Sequence, residues 1–191
     1  MNIAIKILSM DLDEILGKLD VAISTLENEF APVVLVTAND LAQQIKNRVI
    51  QKGETANGGL FSPYSNNGMR PFRLFDKSRS ASAESKVRQI AAQGGRISYK
   101  QFREINNLET SKKNFEFTGE MWKNYGIVRS SIGGGIANIS LGGLTSAAEN
   151  KLIANSTREG LDITDPNQHE IDFLKESIND WIYDTLEKFT N

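Results

Sequence analysis

Apolar positions along this chain change period several times, and each change marks an element. Ile3, Ile5 and Ile7 alternate with Ala4 and Lys6, which predicts a strand over residues 2–8. Leu12, Ile15, Leu16, Leu19, Ile23, Leu26 and Phe30 then keep helical spacing, with Asp11 or Asp13 as the cap. Pro32 has no backbone N–H and is expected to kink or restart that helix. A second helical stretch carries Val34, Leu35, Ala38, Leu41, Ala42, Ile45 and Val49 and stops before Gly53. Residues 53–76 read as loop, because Gly58, Gly59, Pro63, Gly68 and Pro71 are turn formers. Phe61, Tyr64, Phe72 and Phe75 are spaced through it, the pattern of a segment that docks on a neighbour.

Residues 77–93 predict a weakly hydrophobic helix ended by Gly94 and Gly95. A short helix follows at 99–105 and a polar connection at 106–114. Thr118 and Gly119 make a sharp turn, in which Thr118 is able to cap a helix. Met121, Trp122 and Tyr125 then give a short amphipathic turn. Two β-like runs, 125–132 and 136–141, are joined by Gly133, Gly134 and Gly135 as a hairpin. Residues 146–155 predict another helix. Thr164, Asp165 and Pro166 read as the start of a last helix reaching about Phe189, with Ile171, Leu174, Ile178, Trp181, Ile182 and Leu186 on one face. The sum is an α+β fold. Long N-terminal helices and a C-terminal helix pack on a small antiparallel sheet, with extended loop arms. Residues 1–191 are expected to form a single domain, with 53–97 as an extended arm or insertion.

Composition narrows the chemistry. The 191 residues are 39% hydrophobic and carry a formal net charge of −2 with a pI near 5.6, so no global basic field grips nucleic acid. There is no cysteine, which excludes disulfides, cysteine zinc sites and thiol catalysis. The longest apolar run, near residues 31–36, is far short of a membrane span, and no signal peptide is visible, so no membrane partner is expected. No phosphate-binding loop motif occurs; the glycine triplet lies between two β-runs. His169 is the only histidine, and it sits among acids on a helix. Asp11, Asp13 and Glu14, and likewise Asp162 and Asp165, lie where helices start and answer the helix dipole there. The expectation is no catalytic residue, no metal and no cofactor.

The middle of the chain is basic. Lys77, Arg79, Lys86, Arg88, Arg96, Lys100 and Arg103 follow Arg70 and Arg73, with Tyr99 and Phe102 interleaved. Such a stretch meets DNA or an acidic protein surface, and no nucleic-acid module is recognisable in it. Trp122 and Trp181 read as core or interface residues.

Several segments resemble, in order, those of the tailed-phage virion morphogenesis and tail-completion family of head–tail neck proteins. Segment 58–65, Gly-Gly-Leu-Phe-Ser-Pro-Tyr-Ser, resembles its glycine-aromatic-proline motif. Tyr99 and Arg103 fit its Y-x-x-x-R helix, and Thr118, Gly119 and Met121 fit its "tG.M..s" turn. A short strand and long helix before these, and a C-terminal helix after, complete the pattern. The "hqfG" or "R.fl" element usual before the last helix is not matched; Arg158, Glu159 and Gly160 stand there instead. The helix at 77–95 also departs from the pattern. The resemblance implies a bacteriophage virion protein assembled in the host cytoplasm, a subunit of a homo-oligomeric ring. It implies contacts with portal or adjacent neck and tail proteins, and passage of DNA without sequence-specific binding. Interface residues expected on this reading are Phe61, Tyr64, Phe72, Phe75, Arg79, Lys86, Arg88 and Trp122. A different class, a nucleic-acid-binding or packaging accessory protein using the central basic stretch, stands beside it.

Overall fold

The computed structural model describes residues 12–190. The strand expected at 2–8 and the cap expected at Asp11 lie outside them. Helix α1 spans Leu12–Asn47 and continues as a π-helical turn over Arg48–Lys52. Gly53 ends it in the left-handed region, at a φ of 69°, where its N–H donates to the carbonyls of Arg48 and Val49. There follow β1 (Gly68–Met69), a 3-10 helix (Pro71–Lys77), α2 (Ala81–Ala92), β2 (Ile97–Ser98) and α3 (Tyr99–Ile105). Then come α4 (Glu120–Lys123), β3 (Tyr125–Gly133), β4 (Ile136–Gly143), α5 (Ser146–Glu159) and α6 (Gln168–Thr190). The fold is α+β, with two small antiparallel sheets of two strands each, β1 with β2 and β3 with β4.

Pro32 does not restart α1; it lies within one continuous helix and is exposed. On an exposed face, water is able to replace the hydrogen bond that a proline removes. Continuity changes one expectation. By length and composition the helix from Leu12 to Lys52 suffices to cross a membrane, a test that core helices of soluble proteins also pass.

Packing divides the chain into two compact units. The first holds the residues up to Gln44, the hairpin Gly126–Leu141, and the residues from Gln168 onward. Along α1, Ala22, Val34, Thr37, Ala38 and Ala42 are buried, and three alanines among them allow close approach of other backbone. Phe30 of α1 meets Trp181 of α6 with ring centres 6.4 Å apart. The expected apolar face of α6 is half-buried throughout. The hairpin turns through Gly134 and Gly135 at φ values of 57° and 72°, the signs that a tight two-residue turn demands.

The second unit comprises Ile45–Tyr125 and Gly142–Asn167. Its core joins Leu74, Val87, Ile97 and Phe102, with Met69, Phe75, Ile90, Tyr99, Ile105 and Phe117 packed against them. Residues 53–97, expected as an arm, thus supply three of the four central side chains. Ser80 caps α2 by accepting from Ala83 N, and Ser98 and Gln101 form a reciprocal capping box on α3. In β1 and β2, Gly68 faces Ser98 and Met69 faces Ile97.

The last helix starts at Gln168, later than Thr164. The Asp162 carboxylate accepts from Thr164 N at 2.8 Å and from the Thr164 hydroxyl at 2.7 Å. That local turn outcompetes a cap at this point. Arg48 also draws the chain in, donating to the Asp165 carbonyl at 2.6 Å.

Candidate functional site

The most organised polar feature is buried in the second unit, around Arg103. α3 turns this side chain inward, where it is 1% exposed. Its Nε donates to the carbonyl of Glu109 (2.9 Å), and its two terminal nitrogens to the carbonyl of Glu116 (2.7 Å) and to Asn114 Oδ1 (3.1 Å). Five donors in a rigid fork suit this pinning of one loop at several points. The charge is met by oxygen dipoles, and no carboxylate pairs with it among the described residues.

Tyr64 closes the other side. Its ring centre lies 4.1 Å from the Arg103 guanidinium carbon. Its hydroxyl donates to Asn114 Oδ1 at 3.0 Å and accepts from Asn114 N at 3.2 Å. Burial pushes the phenol above its ordinary value, while the nearby Arg103 charge pulls it down. Trp122 Nε1 donates to the Asn114 carbonyl at 3.0 Å. Phe61 meets the Phe115 ring edge-on at 4.9 Å, and Tyr64 meets Tyr99 at 5.7 Å. Phe115 holds a φ of 54°, uncommon for an aromatic, in the turn that these contacts fix. Nearby, Lys113 and Glu159 pair at 2.6 Å, both largely buried, and Ser62 bridges them.

No protein-family model, curated protein or solved structure matches the chain.

The eight residues expected at an interface fall into distinct settings. Phe61, Tyr64 and Trp122 are buried within the chain's own second unit. Phe75 is half-buried under Arg88, whose guanidinium lies 4.4 Å from the ring centre. Arg88 is held there by Glu84, its Nε donating at 2.7 Å. Phe72, Arg79 and Lys86 are exposed. Two further members of the basic stretch are engaged internally: Arg103 is buried, and Arg96 donates twice to the Gly68 carbonyl.

Sequence reasoning passed over Asn114, the hub of this network, which it placed at the end of a polar connection. An asparagine in a polar run carries no signal of burial; Arg103 and Trp122 lie 11 and 8 residues away, and Tyr64 lies 50 residues away. His169 is exposed, and no group of three histidines or acids able to hold a metal ion occurs among the described residues. The hydrogen bonds of Arg103, Tyr64 and Trp122 to Asn114 and its neighbours hold loop 106–118 in place.

Proposed function

We propose that this chain is a structural subunit of a phage head–tail connector, a neck ring or tail-completion protein that joins portal to tail and lets DNA pass. The observation that carries the reading is the meeting at Asn114. The aromatic segment 58–65, the Tyr99–Arg103 helix and the turn at 118–122 carry the resemblance to that family, and all three converge there. Segments that carry the resemblance, tied to one another through Tyr64, Arg103 and Trp122, suit a rigid scaffold body. Charge adds support for assembly: the first unit holds five basic and thirteen acidic residues, the second seventeen basic and eleven acidic. Such opposed units favour head-to-tail contacts, which build a ring where the rotation between copies closes. Its partners would be further copies of itself, the portal and neighbouring neck or tail proteins, and its place the virion.

Sequencing the DNA on either side of the gene tests this. Portal, capsid or tail genes are the expected neighbours; metabolic or regulatory genes would overturn the reading.

The exposed side chains of Arg70, Arg73, Lys77, Arg79 and Lys86 favour a second reading, an accessory protein that binds nucleic acid. A DNA affinity falling steeply with salt is its signature. Absence of measurable affinity at low salt removes it.

A further inference from the structure

In the first unit, the start of α1 carries an apolar row that is exposed among the described residues. Leu12, Leu16, Leu19 and Ile23 follow one another at intervals of four, three and four residues, the spacing of a helix–helix seam. They are 67, 49, 50 and 45% exposed. Ala22, one position from the last of them, is buried at 2%, so the helix is seated by a different face. Along one edge of the open row stand Asp13, Asp20 and Glu27, seven residues apart and all exposed.

Three occupants are conceivable, and the chemistry separates them. A self-paired coiled coil needs three to four heptads. Here the open row covers fewer than two, because at Phe30 the seam already packs on Trp181. An antiparallel pairing would also bring two acidic rows together. A membrane surface is anionic and favours lysine and arginine beside such a row, not acids. A knob that is apolar at its tip and basic around it answers both features.

The second unit carries such a knob. Phe72, on the 3-10 helix, is 56% exposed. Arg73 places its guanidinium 6.0 Å from that ring, and Arg70 is exposed beside it. The two residues that seat this turn, Pro71 and Leu74, are buried.

We infer that the Leu12–Ile23 row of one copy receives the Phe72 knob of a second copy, with Arg70 and Arg73 facing Asp13, Asp20 and Glu27. The contact is heterologous, so each copy keeps one free row and one free knob until the chain of contacts closes. This inference deepens the ring reading above and rests on it for its biological meaning, but its test is independent of gene context.

The test uses the full chain in two variants. One, Arg70→Glu with Arg73→Glu, spoils the knob and keeps the row. The other, Leu16→Glu with Leu19→Glu, spoils the row and keeps the knob. All four positions are exposed, and far-UV circular dichroism with thermal melting checks that both variants fold. In sedimentation velocity the unaltered chain is expected to self-associate, and each variant to need roughly thirtyfold more protein to do so. Mixing the two variants should restore one contact and give a 1:1 pair that grows no further. No pair on mixing, with both variants folded, overturns the inference. Assembly lost only in the row variant assigns the row to itself. Assembly unaffected by Leu16→Glu and Leu19→Glu means that the row is covered by its own chain. An unaltered chain that stays monomeric overturns the contact while leaving gene context to judge the connector reading. Co-flotation of the unaltered chain, but not the row variant, with phosphatidylserine-containing vesicles would assign the row to a membrane and overturn the inference.

Discussion

Arg103 and Tyr64 share one side chain between them: the guanidinium and the phenol both hydrogen-bond Asn114 Oδ1, at 3.1 and 3.0 Å. The aromatic ring also forms the floor under the cation. Neither residue reaches the surface, so the pair acts on the position of loop 106–118 and not on a ligand.

Tyr64→Phe keeps the ring under Arg103 and removes one hydroxyl. Asn114 N then loses its acceptor in a buried place. We expect a loss of about 1–3 kcal/mol in urea unfolding. A change within a few tenths would mean that the hydroxyl is dispensable.

The same phenol gives a pH signature. Burial, the largest cause, raises it above the ordinary 10.0, so near and above that pH the unfolded chain gives up the proton more readily than the folded one. Its contribution is fully present below pH 10.0 and lost as pH rises through the folded value. Stability measured across this alkaline range should fall less steeply in Tyr64→Phe than in the parent chain; parallel slopes would contradict this.

Arg103→Met takes the guanidinium donors from the Glu109 and Glu116 carbonyls and one of three donors from Asn114 Oδ1, for an expected cost of roughly 3 kcal/mol or more. Arg103→Lys keeps the charge but has no fork, and should recover only part of that. Equal midpoints for lysine and arginine in chemical unfolding would show that charge alone suffices.

Gly143 stands where the first turn of α5 crosses the end of β4. A Cβ added there would overlap the backbone of Ala148 and Glu149. Backbone cannot step aside cheaply, so Gly143→Ala should cost about 3 kcal/mol. Gly133→Ala, with nothing within 4 Å of the added carbon, is the control and should change the melting temperature little.

The Thr185 hydroxyl is buried with no hydrogen-bond partner among the described residues. Thr185→Val replaces it by a methyl of similar size and should add about 1 kcal/mol of stability. A destabilised variant would reveal a partner for that oxygen.

What could be read in the sequence was local. The helix at Tyr99–Ile105, the stop at Gly53 and the hairpin at Gly134 and Gly135 each depend on neighbours a few residues away. Pro32 does not restart the helix, because its cost depends on which side of the helix it faces, and that is set by tertiary packing. The 3-10 helix at Pro71–Lys77 was hidden behind turn-forming residues. Arg103 looked like one charge in a basic run, and Asn114 like spacer. Their bonds join loop positions to residues 6 to 13 positions away, at separations that no regular period announces, and Tyr64 reaches Asn114 from 50 residues away. Among the candidate interface residues, an aromatic that anchors its own core and one that awaits a partner have the same spelling; only exposure separates Phe72 from Phe61.

The interleaving of the two units along the chain orders their birth on the ribosome. The second unit has all its residues once Asn167 has been made. The first must wait for the helix Gln168–Thr190, although its other helix emerges well before the second unit is complete. Elongation at about 5–20 residues per second makes that wait several seconds long. During it, Val34, Ala38 and Ala42 stand without the helix that completes their unit. Stop codons just before Gln168 should therefore yield chains whose central unit is ordered and whose N-terminal helix seeks chaperones.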